Sequence, residues 1–264
     1  TSPQSLMGKA LDIFFRYDQN VERLEFVRGG SSALFGVGSP AGIINYISKT
    51  GGSTQETTIK ATAGQNNLYR LDFNTNGPIG DNFRFNLGGF YRYDEGPVVT
   101  GLPTQGGQIK GNLTYLQDNG YIRIYGKYMN DAAQFFLPFY YNTATQEAAN
   151  GIDGAEWTTI STPDAADFNF NTPDGRFESQ MEDGITARGG NLMIEFYRDL
   201  GNGFSLENKT RYTSMDHVFN IFIPFGATTP QAFASDFING PDQAVRYRYA
   251  RGTEGQFGEG TYSG

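Results

Sequence analysis

The sequence contains no cysteine, one histidine and one tryptophan. Without thiols there is neither a disulfide framework nor a thiolate metal or redox site. The lone histidine, His217, has no G-x-S-x-G nucleophile elbow to serve and reads as a loop residue. Basic charge is scarce: 20 Lys and Arg stand against 28 Asp and Glu, a net −8. That balance removes the cationic footprint a nucleic-acid binder needs. Charged residues of both signs make up 18% of the chain, below the ~25% usual for soluble domains. No apolar run approaches the roughly 18 residues of a membrane helix. The first residues, Thr1-Ser2-Pro3, carry no charged-then-apolar leader. Glycine is plentiful at 35 residues, as are Phe at 22 and Tyr at 16. Helix bundles, zinc fingers and helical membrane proteins are thereby excluded, and an all-β chain remains.

The first fifty residues form a small unit. Val21-Glu22-Arg23-Leu24-Glu25-Phe26-Val27-Arg28 alternates apolar and charged residues, the period of a half-buried strand. A Gly- and Ser-rich stretch from Gly29 to Gly42 follows, then the β-branched run Ile43-Ile44-Asn45-Tyr46-Ile47-Ser48-Lys49. Thr50-Gly51-Gly52 closes it, so the spacing predicts strand, glycine loop, strand and a boundary between residues 52 and 53.

From residue 53 to 264 the pattern becomes a series of about seven strands, each near the ten residues that cross a bilayer when tilted. They are expected at 57–63, 68–76, 83–93, 108–116, 121–129, 191–198 and 204–213. Each confines its charge to one face. In 83–93, for example, Phe85, Leu87 and Tyr91 oppose Arg84, Asn86 and Arg92. The links at 77–82, 117–120 and 199–203 are short and rich in Gly, Asn, Asp and Pro, as tight reversals require. Long links are expected near 94–107, 131–188 and 214–264. Short turns on one rim and long loops on the other are the asymmetry of an outer-membrane barrel. Aromatics near strand ends suit its interfacial girdle: Phe83, Tyr91, Tyr93, Tyr115, Tyr121, Tyr128, Phe196, Tyr197, Phe204 and Tyr212. The reading is a partial transmembrane antiparallel β-barrel.

Residues 21–36 and 42–49 have a more specific content. VERLEFVRGGSSALFG followed by GIINYISK resembles the end of the plug domain of TonB-dependent outer-membrane receptors. The family pattern is V-E-R-[IV]-E-V-[LI]-[RK]-G-P-x-[SA]-x-L-[YF]-G, then G-G-[VI]-I-N-[IV]-[IV]-[ST]-K. Gly30 replaces the usual Pro, and Ala41 the first Gly of the pair. The signature residues are Glu22, Arg23, Glu25, Arg28, Gly29, Ser32, Gly36, Gly42 and Asn45.

The resemblance implies a chain cut from a larger receptor: residues 1–52 as the C-terminal part of the plug, the rest as the first strands of a barrel of about 22 strands. It implies uptake of a scarce nutrient such as a siderophore, vitamin or glycan, energised by the TonB–ExbB–ExbD complex through a TonB box upstream of Thr1. The location would be the bacterial outer membrane, with lipid and lipopolysaccharide as neighbours and a small-molecule ligand. It implies no enzyme, no cofactor and no catalytic residue. Charged plug residues pair with the inner barrel wall in this family, so Arg84, Arg92, Lys110, Arg123, Glu195, Glu207, Lys209 and Arg211 are candidate partners. Phe136, Tyr140, Tyr141 and Trp157 in the 131–188 loop are candidate ligand contacts.

Other motifs weigh less. Gly36-Val37-Gly38-Ser39-Pro40-Ala41 matches G-x-G-x-x-[GA], but the β-branched run after it leaves no helix N-terminus for a pyrophosphate. Asp174, Glu178, Glu182 and Asp183 lack the spacing of a calcium loop, so no metal site is expected. Arg246-Tyr247-Arg248-Tyr249 reads as a loop or a further strand rather than a nucleic-acid platform. Ten acids and one base between 131 and 184 put most of the acidity in one extracellular loop, able to bind cations or bridge them to lipopolysaccharide. A porin or adhesin without TonB, which would lack the plug motif, and a secreted glycan-binding sheet remain alternatives.

Overall fold

The computed structural model describes residues 16–28, 42–96, 101–134, 141–142, 144–148, 169–179, 181–220, 244–247 and 260–263. Strand β1 (Val21–Arg28) pairs antiparallel with β2 (Gly42–Ser48), so the motif-bearing residues form a hairpin. Next come β3 (Glu56–Gly64), β4 (Leu68–Ile79), β5 (Phe83–Asp94), β6 (Thr104–Gln117) and β7 (Gly120–Ala133). Two small hairpins follow: β8 (Tyr141–Asn142) with β9 (Glu147–Ala148), and β10 (Asn169–Thr172) with β11 (Gly175–Glu178). A 3-10 turn at Met181–Asp183 leads into β12 (Ile185–Gly201) and β13 (Phe204–Phe219). Residues 1–222 make one compact unit. A second, 223–264, contains the hairpin of β14 (Ala244–Tyr247) and β15 (Gly260–Ser263).

The seven long strands form one antiparallel sheet in the order β3-β4-β5-β6-β7-β12-β13. All seven coincide with the segments the alternation marks. Four of them run several residues further than the alternation does toward the long-loop rim: β6 from Thr104, β7 to Ala133, β12 from Ile185 and β13 to Phe219. The reason is visible in the outward row Asn130–Arg188–Asp216, where pairing continues across polar residues above the apolar band. The expected loops therefore shrink, and the longest spans 134–184.

The sheet is inverted relative to a soluble core. Its apolar face is bare: Leu192 is 52% exposed and Tyr212 72%. Its polar face is covered: Asp72 is 2% exposed, Asn74 and Thr114 1%. In water such an arrangement would leave the hydrophobic effect unused, since apolar side chains gain by leaving solvent. In a bilayer it is the expected one, with lipid on the apolar face and a polar lumen within.

Register aligns the outward residues into rows. Leu113 lies opposite Ile124, Ile124 opposite Ile194, and Ile194 opposite Thr210. On β12 the apolar positions Leu192, Ile194 and Phe196 lie between the outward Arg188 and Arg198. Ten residues at ~3.3 Å each, tilted by ~40°, give a band about 25 Å tall, the thickness of an outer-membrane barrel's lipid-facing belt. Phe83 and Tyr115 meet in a tilted ring contact at the short-turn edge of this band, with centroids 5.0 Å apart. Tyr121 and Tyr197 do not join the girdle. Phe196 takes the outward position, so strand parity turns Tyr197 inward, where it stacks on Tyr121 at 5.8 Å.

Candidate plug–barrel interface

The contact between hairpin and wall is built from the residues just before β1. Asp18 and Asn20 are both fully buried polar side chains. Asp18 folds the chain locally. Its carbonyl accepts from the Val21 N–H at 3.2 Å, and its Oδ1 accepts from the Asn20 N–H at 3.0 Å. This Asx-type turn is what Asp offers a backbone that must change direction. The Lys49 N–H then donates to the Asn20 carbonyl at 2.8 Å, tying the far end of β2 to the start of β1.

Three sets of bonds carry this turn onto the wall. Asn20 Oδ1 accepts from Asn74 Nδ2 at 2.8 Å and from Asn86 Nδ2 at 2.9 Å, and Asn76 donates to Asn74 at 3.2 Å. Asp18 accepts from Gln108 Nε2 at 2.6 Å and pairs with Lys110 Nζ at 2.9 Å. Arg16 Nε pairs with Asp131 Oδ2 at 2.7 Å, and Arg92 Nη2 reaches the same oxygen at 3.0 Å. Backbone carbonyls add to these. Arg70 donates to Tyr17 O at 2.7 Å, Gln108 to Arg16 O at 2.9 Å and Asn112 to Lys49 O at 2.7 Å. Each neutral bond contributes roughly 1 kcal/mol net. A buried pair that loses one partner costs about 3–5 kcal/mol.

Close approach at this seam depends on two glycines. A Cβ on Gly88 would lie 2.4 Å from the Phe73 carbonyl and 2.8 Å from Asn20 Oδ1. Gly51, at φ +85°, would place one 2.5 Å from the Phe85 carbonyl. Gly51 lets its backbone meet that of β5, and Gly88 leaves room for the β4 backbone and the Asn20 side chain.

The fold is similar to those of solved receptor structures. The siderophore receptor PiuA from Acinetobacter baumannii superposes with a TM-score of 0.52 at 19% identity, over 75% of this chain and 26% of that one. The ferric-catecholate import receptor Fiu from E. coli K12 gives 0.52 at 16%, over 75% and 29%. The chain has the fold of a TonB-dependent outer-membrane receptor. The Pseudomonas aeruginosa outer-membrane ferripyoverdine receptor gives 0.51 at 15%, over 75% of this chain and 25% of that one. In sequence, the metal-pseudopaline receptor CntO of the same organism is 27% identical over 112 residues, 39% of this chain and 16% of the relative. The chain thus spans about a quarter of the matched structures and less of the sequence relative. No family profile matches it.

Within this receptor fold the candidate residues separate into groups. Glu22, Arg23 and Glu25 stay within the hairpin: Arg23 pairs with Glu22 at 3.3 Å and Glu25 at 2.9 Å, and Asn45 donates to Glu25 at 3.2 Å. Val21 is buried, whereas the side chains of Glu22, Arg23 and Glu25 are between 43% and 56% exposed. Arg28 lies opposite Gly42 in the hairpin register. Gly29, Ser32 and Gly36 fall outside the described residues.

Of the wall candidates, Arg92 reaches the plug through the shared Asp131. Arg123 and Glu195 pair with each other across β7 and β12 at 3.2 Å, and Tyr121 and Tyr125 donate to Glu195 at 3.0 and 3.1 Å. Glu207 pairs with Lys209 at 2.7 Å. Arg211 contacts the Met193 sulfur at 3.5 Å. Arg84 donates to the carbonyls of Gly80, Asp81 and Phe83 and staples a turn. Asp131, grouped by sequence with the acidic loop, belongs to the wall. Phe136, Tyr140 and Trp157 fall outside the described residues, and Tyr141 forms the two-residue β8 with Asn142.

The seam's main residues were missed: Arg16, Asp18 and Asn20 precede the motif, and Asn74, Asn86 and Gln108 carry no charge. The available signal was the strict file of polar side chains on the inward face of β4 to β6.

Proposed function

We propose that the complete receptor takes up a scarce metal chelate of the siderophore type across the outer membrane, driven by TonB–ExbB–ExbD. The observation that carries this is the clasp of Arg16, Asp18 and Asn20 on the polar face of a sheet whose other face is apolar and bare. A porin leaves its lumen open to water, whereas here a separate hairpin is bonded to the wall. The named relatives, receptors for siderophores, ferric catecholate, ferripyoverdine and metal-pseudopaline, support the metal-chelate class. The work done is conformational: moving the plug opens a path, and no covalent step on the ligand is required. The residues upstream of Arg16 are those a pull from the periplasm reaches first, and the clasp is the point at which that pull meets the wall.

The test uses the full-length receptor in an otherwise receptor-deficient strain under iron limitation. Uptake of radioactive iron offered with catecholate, hydroxamate and mixed chelators is measured with and without a protonophore. Chelate-dependent uptake that the protonophore abolishes supports the proposal. Uptake indifferent to the protonophore, or to the receptor's presence, contradicts it.

A further inference from the structure

Between the plug hairpin and the inner wall lies a chamber of about 580 Å³ that the clasp does not fill. Its lining carries six cations, Arg23, Lys110, Arg123, Lys127, Lys209 and Arg211, against two carboxylates, Glu22 and Glu195. The cations come from both partners: Arg23 belongs to β1, and the other five to β6, β7, β12's neighbour β13 and their inward faces. Register stacks the wall's charges in successive rows. Lys110 lies opposite Lys127, and Arg123 faces Glu195, which faces Lys209. Arg211, one inward position above Lys209, meets a methionine sulfur where its neighbours meet acids.

Like charges directly opposite each other on a sheet repel. Lys110 and Lys127 hold that arrangement on a face shielded from bulk water, and Asp18 compensates Lys110 at 2.9 Å. Attraction for an anion is stronger in such a recess than in open solvent, because the effective dielectric is lower. The volume lies within the 300–1,000 Å³ typical of small-molecule sites.

We infer that this chamber is an internal binding site for a compact polycarboxylate-type anion, a station between wall and plug on the ligand's route. The inference rests on the uptake reading and narrows its ligand to chelates that keep negative charge. Citrate, a hydroxyl-bearing tricarboxylate, is the probe. Lys127 and Arg211 are the residues to change. Their substitution leaves the ion pairs of Arg16, Asp18 and Asp131 in place.

Equilibrium dialysis of labelled citrate against purified full-length receptor in detergent, without energisation, is the measurement. Wild type is expected to bind citrate with an affinity that falls as salt rises. The double variant Lys127→Gln/Arg211→Gln is expected to bind about tenfold or more weakly, about 1.4 kcal/mol or more. The charge-preserving Lys127→Arg/Arg211→Lys should remain within about threefold of wild type. Wild-type binding unchanged in the double glutamine variant, or no citrate binding by wild type, overturns the inference. Either result leaves energised iron uptake intact as a separate observable, so the site can fail without the transport reading failing.

Discussion

Arg16 and Asp131, 115 residues apart, form a 2.7 Å ion pair that fastens the segment before β1 to β7. Asp131 is inaccessible to solvent and is shared with Arg92, whose two nitrogens reach its two oxygens at 3.0 and 3.1 Å. One carboxylate thus compensates a cation from the plug and a cation from the wall.

The first prediction concerns that shared acid. Asp131→Asn leaves Arg16 and Arg92 facing each other without a counter-ion, a loss of about 3–5 kcal/mol when a buried pair is broken. Thermal unfolding of the full-length receptor in detergent should show a marked fall in midpoint. Arg23→Gln, which removes only exposed pairs, should shift it by less than about 1 kcal/mol equivalent. Equal shifts would contradict the assignment of the clasp to Asp131.

The seam at Gly88 makes a second prediction. Gly88→Val places a side chain against the Phe73 carbonyl of β4 and the Asn20 side chain, so both the local sheet and the segment carrying Asn20 must give way. Receptors in planar bilayers should then pass ion current where wild type is closed. Gly126→Ala is the control, since a Cβ there meets nothing within 4 Å and the backbone is not in the left-handed region. A closed Gly88→Val receptor would show that the plug is held elsewhere.

The outward face supplies a third. Leu192→Arg puts a charge mid-band and should destabilise folding into phospholipid vesicles by about 2–4 kcal/mol. Ser214→Arg, an outward position one row nearer the long-loop rim, should cost less, and Asp216→Arg at the polar row less again. A flat response along these rows would contradict the placement of the band.

The acidity gives a fourth. With Asp131 in the wall, residues 134–184 hold nine acids and one base, and the rest of the chain balances at nineteen of each. The entire net charge of −8 therefore lies in one connection on the long-loop rim. Changing Asp153, Glu156, Asp164 and Asp167 together to their amides should reduce the gain in thermal midpoint that magnesium confers on the receptor in lipopolysaccharide-containing vesicles. An unchanged magnesium response would show that the loop does not bridge cations.

Much of this architecture was legible in the sequence, because a strand writes its two faces in alternate letters. The pattern Phe85-Asn86-Leu87 or Leu192-Met193-Ile194-Glu195 carries inside and outside with it, and the strands followed. The extra length of β7, β12 and β13 was not legible. Asn130, Arg188 and Asp216 are polar on the outer face, so alternation fades where pairing does not. Asp131 was assigned to the loop for the same reason. The clasp was hidden more deeply. Asn20, Asn74 and Asn86 bond through neutral amides, and nothing local marks one asparagine as the partner of another 54 or 66 residues away.

The central claim is that the apolar face of β12 meets lipid while the alternate residues face a plugged lumen. The absence of cysteine from this chain permits single-cysteine spin labels at 191 through 196, once any cysteines elsewhere in the full-length receptor are replaced. Their accessibility to oxygen and to a polar nickel chelate is then read in lipid vesicles. The account predicts high oxygen and low nickel accessibility at 192, 194 and 196, with lower oxygen and higher nickel accessibility at 191, 193 and 195. High nickel accessibility at 192, 194 and 196 would contradict it.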